Sequence, residues 1–102
     1  MGYYTDFIIS FDTSVVDKNE VYDYIKEISN QQFDDNGLLY SRWHKHVDDM
    51  KNVSVKFSDI LFTLEGQGDC HGDLWFKYFK NGKVQSCYAE LVYPEFNENL
   101  ME

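Results

Sequence analysis

Asn81-Gly82 stands between two runs of strand-forming residues, 73 to 80 and 83 to 93. This dipeptide is the strongest short hairpin signal in the chain. A two-residue turn needs positive φ at both central positions, and Asn and Gly tolerate it. The turn also sets the register: Phe76 faces Cys87, Leu74 faces Ala89 and Trp75 faces Tyr88. Leu74, Phe76, Cys87, Ala89 and Leu91 then share one side of the hairpin, apolar enough to lie beneath helices. Trp75, Lys77, Phe79, Tyr88, Glu90 and Val92 share the other, which is expected to be open.

The remaining segments build outward from this hairpin. Residues 3 to 11 alternate, with Phe7, Ile9 and Phe11 on one side, as a half-buried strand does. A helix follows, with Asp17 as N-cap, Glu20 three residues on, and Val21, Ile25 and Ile28 at helical spacing. Asp34-Asp35-Asn36-Gly37 predicts a turn, and Leu38 to Arg42 a short strand. From about His44 to Ser58 a second helix carries the stripe Val47, Met50, Ser54 and Phe57. Ile60 to Glu65 is a strand with Ile60, Phe62 and Leu64 on one face. The order β-α-β-α-β-β-β predicts an α+β, ferredoxin-like two-layer sandwich: an antiparallel or mixed sheet with two helices on one face.

The chain has 102 residues, the size of one domain spanning 1 to 102, with an acidic and loose tail expected from 94 to 102. Hydrophobic residues make up 43%, enough for a folded core. Nine basic against 18 acidic residues leave a net charge of −9, which repels phosphate backbones and disfavours direct contact with nucleic acid. The same charge suits docking on basic protein surfaces, although solubility alone also accounts for it. No apolar run is long enough for a membrane span, and the N-terminal stretch lacks a signal-peptide pattern, so a cytoplasmic location is expected.

The segment EGQGDCHGDLWFKYFKNGK, 65 to 83, invites a reading as a site. Its glycines at 66, 68 and 72 lack dinucleotide spacing and precede a strand, not a helix N-terminus. Glu65, Asp69 and Asp73 would repel a phosphate, so glycine here predicts a connection that needs unusual φ. His44, His46, Cys70 and His71 are zinc-ligand types, but an H-x-H and an adjacent Cys-His pair do not form the paired spacing of a zinc site. Cys70 lies six residues before the partner of Cys87, about 20 Å along an extended strand. A disulfide needs Cα atoms within ~7 Å, so two free thiols are expected. No Ser or Cys is paired with a base in a recognisable pattern, and Asp34-Asp35 and Asp48-Asp49 fit a turn and a solvated helix face. Nothing marks an enzyme or calls for a cofactor.

An open face bearing Trp75, Phe79 and Tyr88 is also how RNA-recognition sheets stack bases, but Lys77 is its only cation. Protein contact fits better, since aromatics anchor interfaces. Candidate contact residues are Trp75, Lys77, Phe79, Tyr88 and Glu90 on that face, with Asp48, Asp49, Glu65 and Asp69 as acidic contributors. Packing of the same rings on the tail, or on a second copy in a homodimer, is the alternative.

One stretch resembles a family. Phe57, Leu61, Phe62, Leu64, Gly66 and Gly68, followed by Gly72, Asp73, Trp75, Tyr78, Phe79, Gly82 and Lys83, trace F-x-x-x-L-F-x-L-x-G-x-G and G-D-x-W-x-x-Y-F-x-x-G-K. With Trp43, His46 and Asp48 to Met50 upstream, the run is similar to small proteins encoded in phages and other mobile elements. It covers about half the chain and departs from those proteins at Gln67, Cys70 and His71. The resemblance implies a ferredoxin-like domain of mobile-element origin and, with the acidity, an anti-CRISPR-type inhibitor. Such a protein would be non-enzymatic and would block a host nuclease or other nucleic-acid-binding defence protein through its basic surface. The alternatives are an immunity protein or antitoxin for a cognate toxin, and a small-ligand or metal-binding module.

Overall fold

In the computed structural model the described residues are 3–69, 72–89 and 95–102. They form β1 (Thr5–Ser10), α1 (Lys18–Ser29), β2 (Leu38–Ser41), α2 (His46–Lys56), β3 (Phe62–Gly68), β4 (Leu74–Lys80) and β5 (Lys83–Tyr88). A short 3-10 turn, Glu98–Leu100, follows in the exposed tail. The expected class holds: α+β, one antiparallel five-stranded sheet and two helices. The strand order is β2-β1-β3-β4-β5. It does not confirm the ferredoxin-like arrangement, because β1 and β2 are antiparallel neighbours. A split β-α-β unit would leave a strand between them.

Local chemistry accounts for the elements. The Asp17 side chain accepts from the Asn19 backbone N–H and starts α1, and Asn30 ends it in the left-handed region at φ 59. In the turn before β2, the Asp34 carboxylate accepts from the backbones of Asn36 and Leu38. Asn81 and Gly82 both have positive φ, 48 and 79, as the hairpin requires. The hairpin register is the expected one, with Trp75 opposite Tyr88 and Phe76 opposite Cys87. Ser54, a polar residue in the stripe of α2, is fully buried because it is satisfied twice. Its hydroxyl donates to the Lys51 carbonyl and accepts from the Gly82 backbone N–H, tying the helix to the hairpin turn.

The core lies between the helices and one face of the sheet. Phe7 and Ile9 of β1, Phe62 and Leu64 of β3, and Trp75 and Phe79 of β4 are buried with Val21 and Ile25 of α1 and Met50 and Val53 of α2. Trp43 and Phe33 join them from the loops. Val53 is a core position absent from the expected stripe, and α2 begins at His46, two residues later than expected.

The hairpin faces are the reverse of those expected. Trp75 (7% exposed), Lys77 (6%) and Phe79 (0%) point into the core, whereas Leu74 and Phe76 are exposed at 42% and 43%. Ala89 is exposed as well, and Cys87 is half-buried on the outer side. Leu91, Val92 and Glu90 lie outside the described residues. The cause is cross-strand. β3 presents Phe62, Leu64 and Gly66 inward, and their partners on β4 are Phe79, Lys77 and Trp75. Gly66 leaves the space that the indole of Trp75 fills, since a Cβ there would meet the ring at 2.1 Å.

That contact yields a test. Trp75 is wedged between Phe7, at 5.9 Å, and the stacked His46 ring, at 5.1 Å, so it has little room to yield. Gly66→Ala is therefore expected to destabilise the fold by about 2 kcal/mol or more through overpacking. Urea denaturation of this variant beside the parent checks it, and a loss below about 0.5 kcal/mol would contradict this packing.

Candidate functional site

Because, among the described residues, α1 and α2 pack on one side of the sheet, its other face carries whatever the alternate residues of each strand supply. Cross-strand pairing assembles rows there: Ser10, Thr63, Tyr78 and Gln85 form a largely polar one toward the hairpin turn, and two more lie beyond it. One runs Leu38, Ile8, Glu65, Phe76, Cys87 and the next Tyr40, Asp6, Gln67, Leu74. Leu38 and Tyr40 are exposed at 45% and 58%, comparable to Leu74 and Phe76. Tyr4 stacks on Tyr40, with centroids 4.9 Å apart, and the Arg42 guanidinium lies 5.5 Å from the Tyr4 ring centroid. Asp6 and Glu65 stand within the apolar rows. Asp69, at the end of β3, accepts from the Tyr40 hydroxyl at 3.4 Å. A shallow groove of about 420 Å³ on this face is lined by Asp6, Ile8, Asp34, Leu38, Tyr40 and Gln67, among others.

Cations on this face lie toward its margins. Arg42 sits beside Tyr4, and Lys80 and Lys83 pair at the hairpin end. The middle is therefore apolar and aromatic with embedded carboxylates. An extended apolar surface rimmed by charge is the usual signature of a contact site.

The inner face holds an unusual polar group. The Lys77 ammonium lies 4.2 Å from the Trp75 ring centroid, and its Nζ is 2.7 Å from His46 Nε2. His46 Nδ1 lies 3.0 Å from the Trp43 carbonyl. A carbonyl can only accept, so Nδ1 carries the proton and Nε2 offers a lone pair to Lys77. Desolvation holds the Lys77 amine below its ordinary value, with Asp73 opposing weakly. Desolvation, then the Lys77 charge, holds His46 below its ordinary value too. The acceptor lone pair and the indole face take the place a carboxylate would hold beside a buried lysine.

The sequence-predicted contact residues fall in four places. Trp75, Lys77 and Phe79 are interior and do not form an open surface. Tyr88 is 64% exposed, because β5 is an edge strand that the helices only partly cover. Glu65 and Asp69 stand on the open outer face, while Asp48 is exposed at the start of α2. Asp49 instead accepts from the Trp43 indole N–H at 2.8 Å, which makes it a structural partner. Glu90, Cys70 and His71 lie outside the described residues.

His44 is exposed and His46 is engaged with Lys77 and Trp43. Among the described residues no three His, Cys, Asp or Glu side chains gather as a metal would need, and Cys87 is a free thiol. Among the same residues, no helix is long and apolar enough to cross a membrane. Leu38, Tyr40, Leu74 and Phe76 were missed as surface residues, because an apolar alternation looks the same from either side.

No family model matches the chain, and no curated protein and no solved structure matches it. For the interior lysine, Lys77→Met keeps the aliphatic stem and removes a desolvated charge that has no bonded carboxylate among the described residues. It is expected to raise stability at neutral pH by about 1 kcal/mol. Thermal unfolding at pH 7 measures it, and a clear loss of stability would show that Lys77 contributes more through its contacts than its burial costs.

Proposed function

We propose that this chain is a non-enzymatic binding protein that occupies the basic surface of a nucleic-acid-handling partner. The reading is that of a phage-type inhibitor of a bacterial defence nuclease, acting in the host cytoplasm. One observation carries it: the helix-free face of the sheet exposes Leu38, Tyr40, Leu74 and Phe76 around Asp6 and Glu65, on a chain of net charge −9. The charge steers association toward Lys/Arg-rich surfaces, and the exposed rings and leucines supply buried contact once docked. A nucleic-acid channel is such a surface, and an acidic occupant excludes its normal ligand by charge and volume.

The contact surface is thus the opposite side of the hairpin from the one expected from sequence, with Glu65 and Asp69 retained as its acidic members. An immunity protein or antitoxin would use the same surface chemistry against a toxin. The two differ in whether the bound partner is a defence nuclease or a toxin encoded beside this gene.

The test compares surface variants on a common partner set. The parent, Leu74→Ser/Phe76→Ser and Asp6→Lys/Glu65→Lys are immobilised and exposed to lysate of the bacterium that carries the gene. Captured proteins are then challenged with salt and with competing DNA. The expected result is a basic nucleic-acid-binding protein retained by the parent and displaced by DNA. Its affinity should fall about 10-fold or more in each variant, as loss of a central anchor or of complementary charge produces. Retention should also weaken as salt screens the charges. Capture that is unaffected in both folded variants, or limited to partners without a basic surface, would overturn the reading.

A further inference from the structure

The His46–Lys77 pair lies on the other side of the sheet from the proposed contact surface and calls for its own explanation. With Lys77 only 6% exposed, its amine is poorly presented to a substrate, but the pair can respond to a proton. We propose that His46 and Lys77 form a proton-triggered latch: protonation of His46 releases the first turn of α2 from the sheet and uncovers the aromatic floor beneath it.

The geometry sets up the conflict. At 2.7 Å the contact works only while His46 Nε2 accepts. His46 Nδ1–H is already committed to the Trp43 carbonyl, so a second proton must go to Nε2. Two donors, each carrying a positive charge, would then face one another at hydrogen-bond distance, and one must leave.

Among the described residues two carboxylates act against this conflict, each more weakly than desolvation, and each is bonded elsewhere. On α2, Asp49 accepts from the Trp43 indole N–H while its charge favours protonated His46. Ahead of β4, Asp73 accepts from the Tyr3 hydroxyl at 2.6 Å while its charge favours charged Lys77. The His44 charge opposes a charge on His46, and from β5 the Tyr88 ring centroid lies 5.8 Å from the Lys77 nitrogen. On β3 the cross-strand neighbour of Lys77 is Leu64, and on β5 it is Ser86; neither titrates.

The two partners are not equally free to move. Lys77 sits in the middle of β4, paired to β3 on one side and β5 on the other. His46 is the first residue of α2, and its N-cap, Lys45, makes no side-chain capping bond. The helix end is the weaker side, so it yields. The His46 ring covers Trp75 at 5.1 Å, Phe7 at 5.5 Å and Trp43 at 6.3 Å, so its departure wets both tryptophans.

The sign follows from the environment. His46 is held below its free value of 6.5, mainly by desolvation and then by Lys77. Its contribution to the closed form is complete above pH 6.5 and is lost as pH falls through the lower folded value.

Tryptophan emission and amide NMR spectra, recorded between pH 7.5 and about 5, test the latch, since ordinary carboxylates remain largely charged there. The parent is expected to show a reversible transition centred below pH 6.5, with the amides of the first turn of α2 and the signals of Trp43 and Trp75 moving together. His46→Gln keeps an acceptor for Lys77 but cannot titrate, and should abolish the transition while His44 and His71 remain. Lys77→Met removes the opposing charge, so His46 should titrate at a higher pH without the change in emission. A parent spectrum that stays constant across this range overturns the proposal, as does a transition unchanged in either variant.

Discussion

The indole of Trp75 lies over Gly66, and much of the sheet's organisation follows from that contact. A strand has two faces and must choose which one it buries. On β4 both are apolar, Leu74-Phe76-Tyr78 on one side and Trp75-Lys77-Phe79 on the other. Composition cannot choose between them. A glycine across the ladder on β3 can, because it leaves room for a tryptophan, and a Cβ there would lie 2.1 Å from the ring. Once Trp75 is inside, Phe79 meets Phe62 across the same ladder, and Lys77 is carried inward between them.

Both unusual features of the molecule descend from that choice. Lys77 is brought into the layer between α2 and the sheet and solves its burial locally, with a neutral imidazole as acceptor and an indole face beneath. Leu74 and Phe76 are turned outward, where they line up with Ile8, Leu38 and Tyr40 across four strands. The face that would otherwise be covered is the one left open. The two features are separate in space and call on different chemistry. The outer face presents exposed apolar groups beside carboxylates, and the inner pair joins one amine to one imidazole ring.

Much of the secondary structure was legible because its signals are local. Asp17 caps α1, Asp34 to Gly37 turn the chain, and Asn81-Gly82 closes the hairpin in the expected register. Each depends on a side chain and the backbone a few residues away, so the sequence states it directly. The boundaries of α2 were less legible, since Lys45 offers no capping side chain to mark the start. Val53 was missed although it lies three residues after Met50 and four before Phe57, because the expected stripe ran through the neighbouring Ser54, and both are buried. Lys77 was a misleading signal. A lysine in the middle of a strand usually marks the wet side, and only the approach of His46 from α2, 31 residues away in sequence, makes the other side tolerable.

The sequence by itself determined the order of elements, the helix cap, the hairpin and its register, and a strongly acidic character. Short-range hydrogen bonding, backbone φ preferences and charge count are all written residue by residue. The tertiary structure alone decided the strand order β2-β1-β3-β4-β5, the inner face of β4, the meeting of His46 with Lys77 and the composition of the open surface. These depend on which strands become neighbours, and an alternating apolar pattern is symmetric until a partner strand, here β3 with Gly66, breaks the tie by volume.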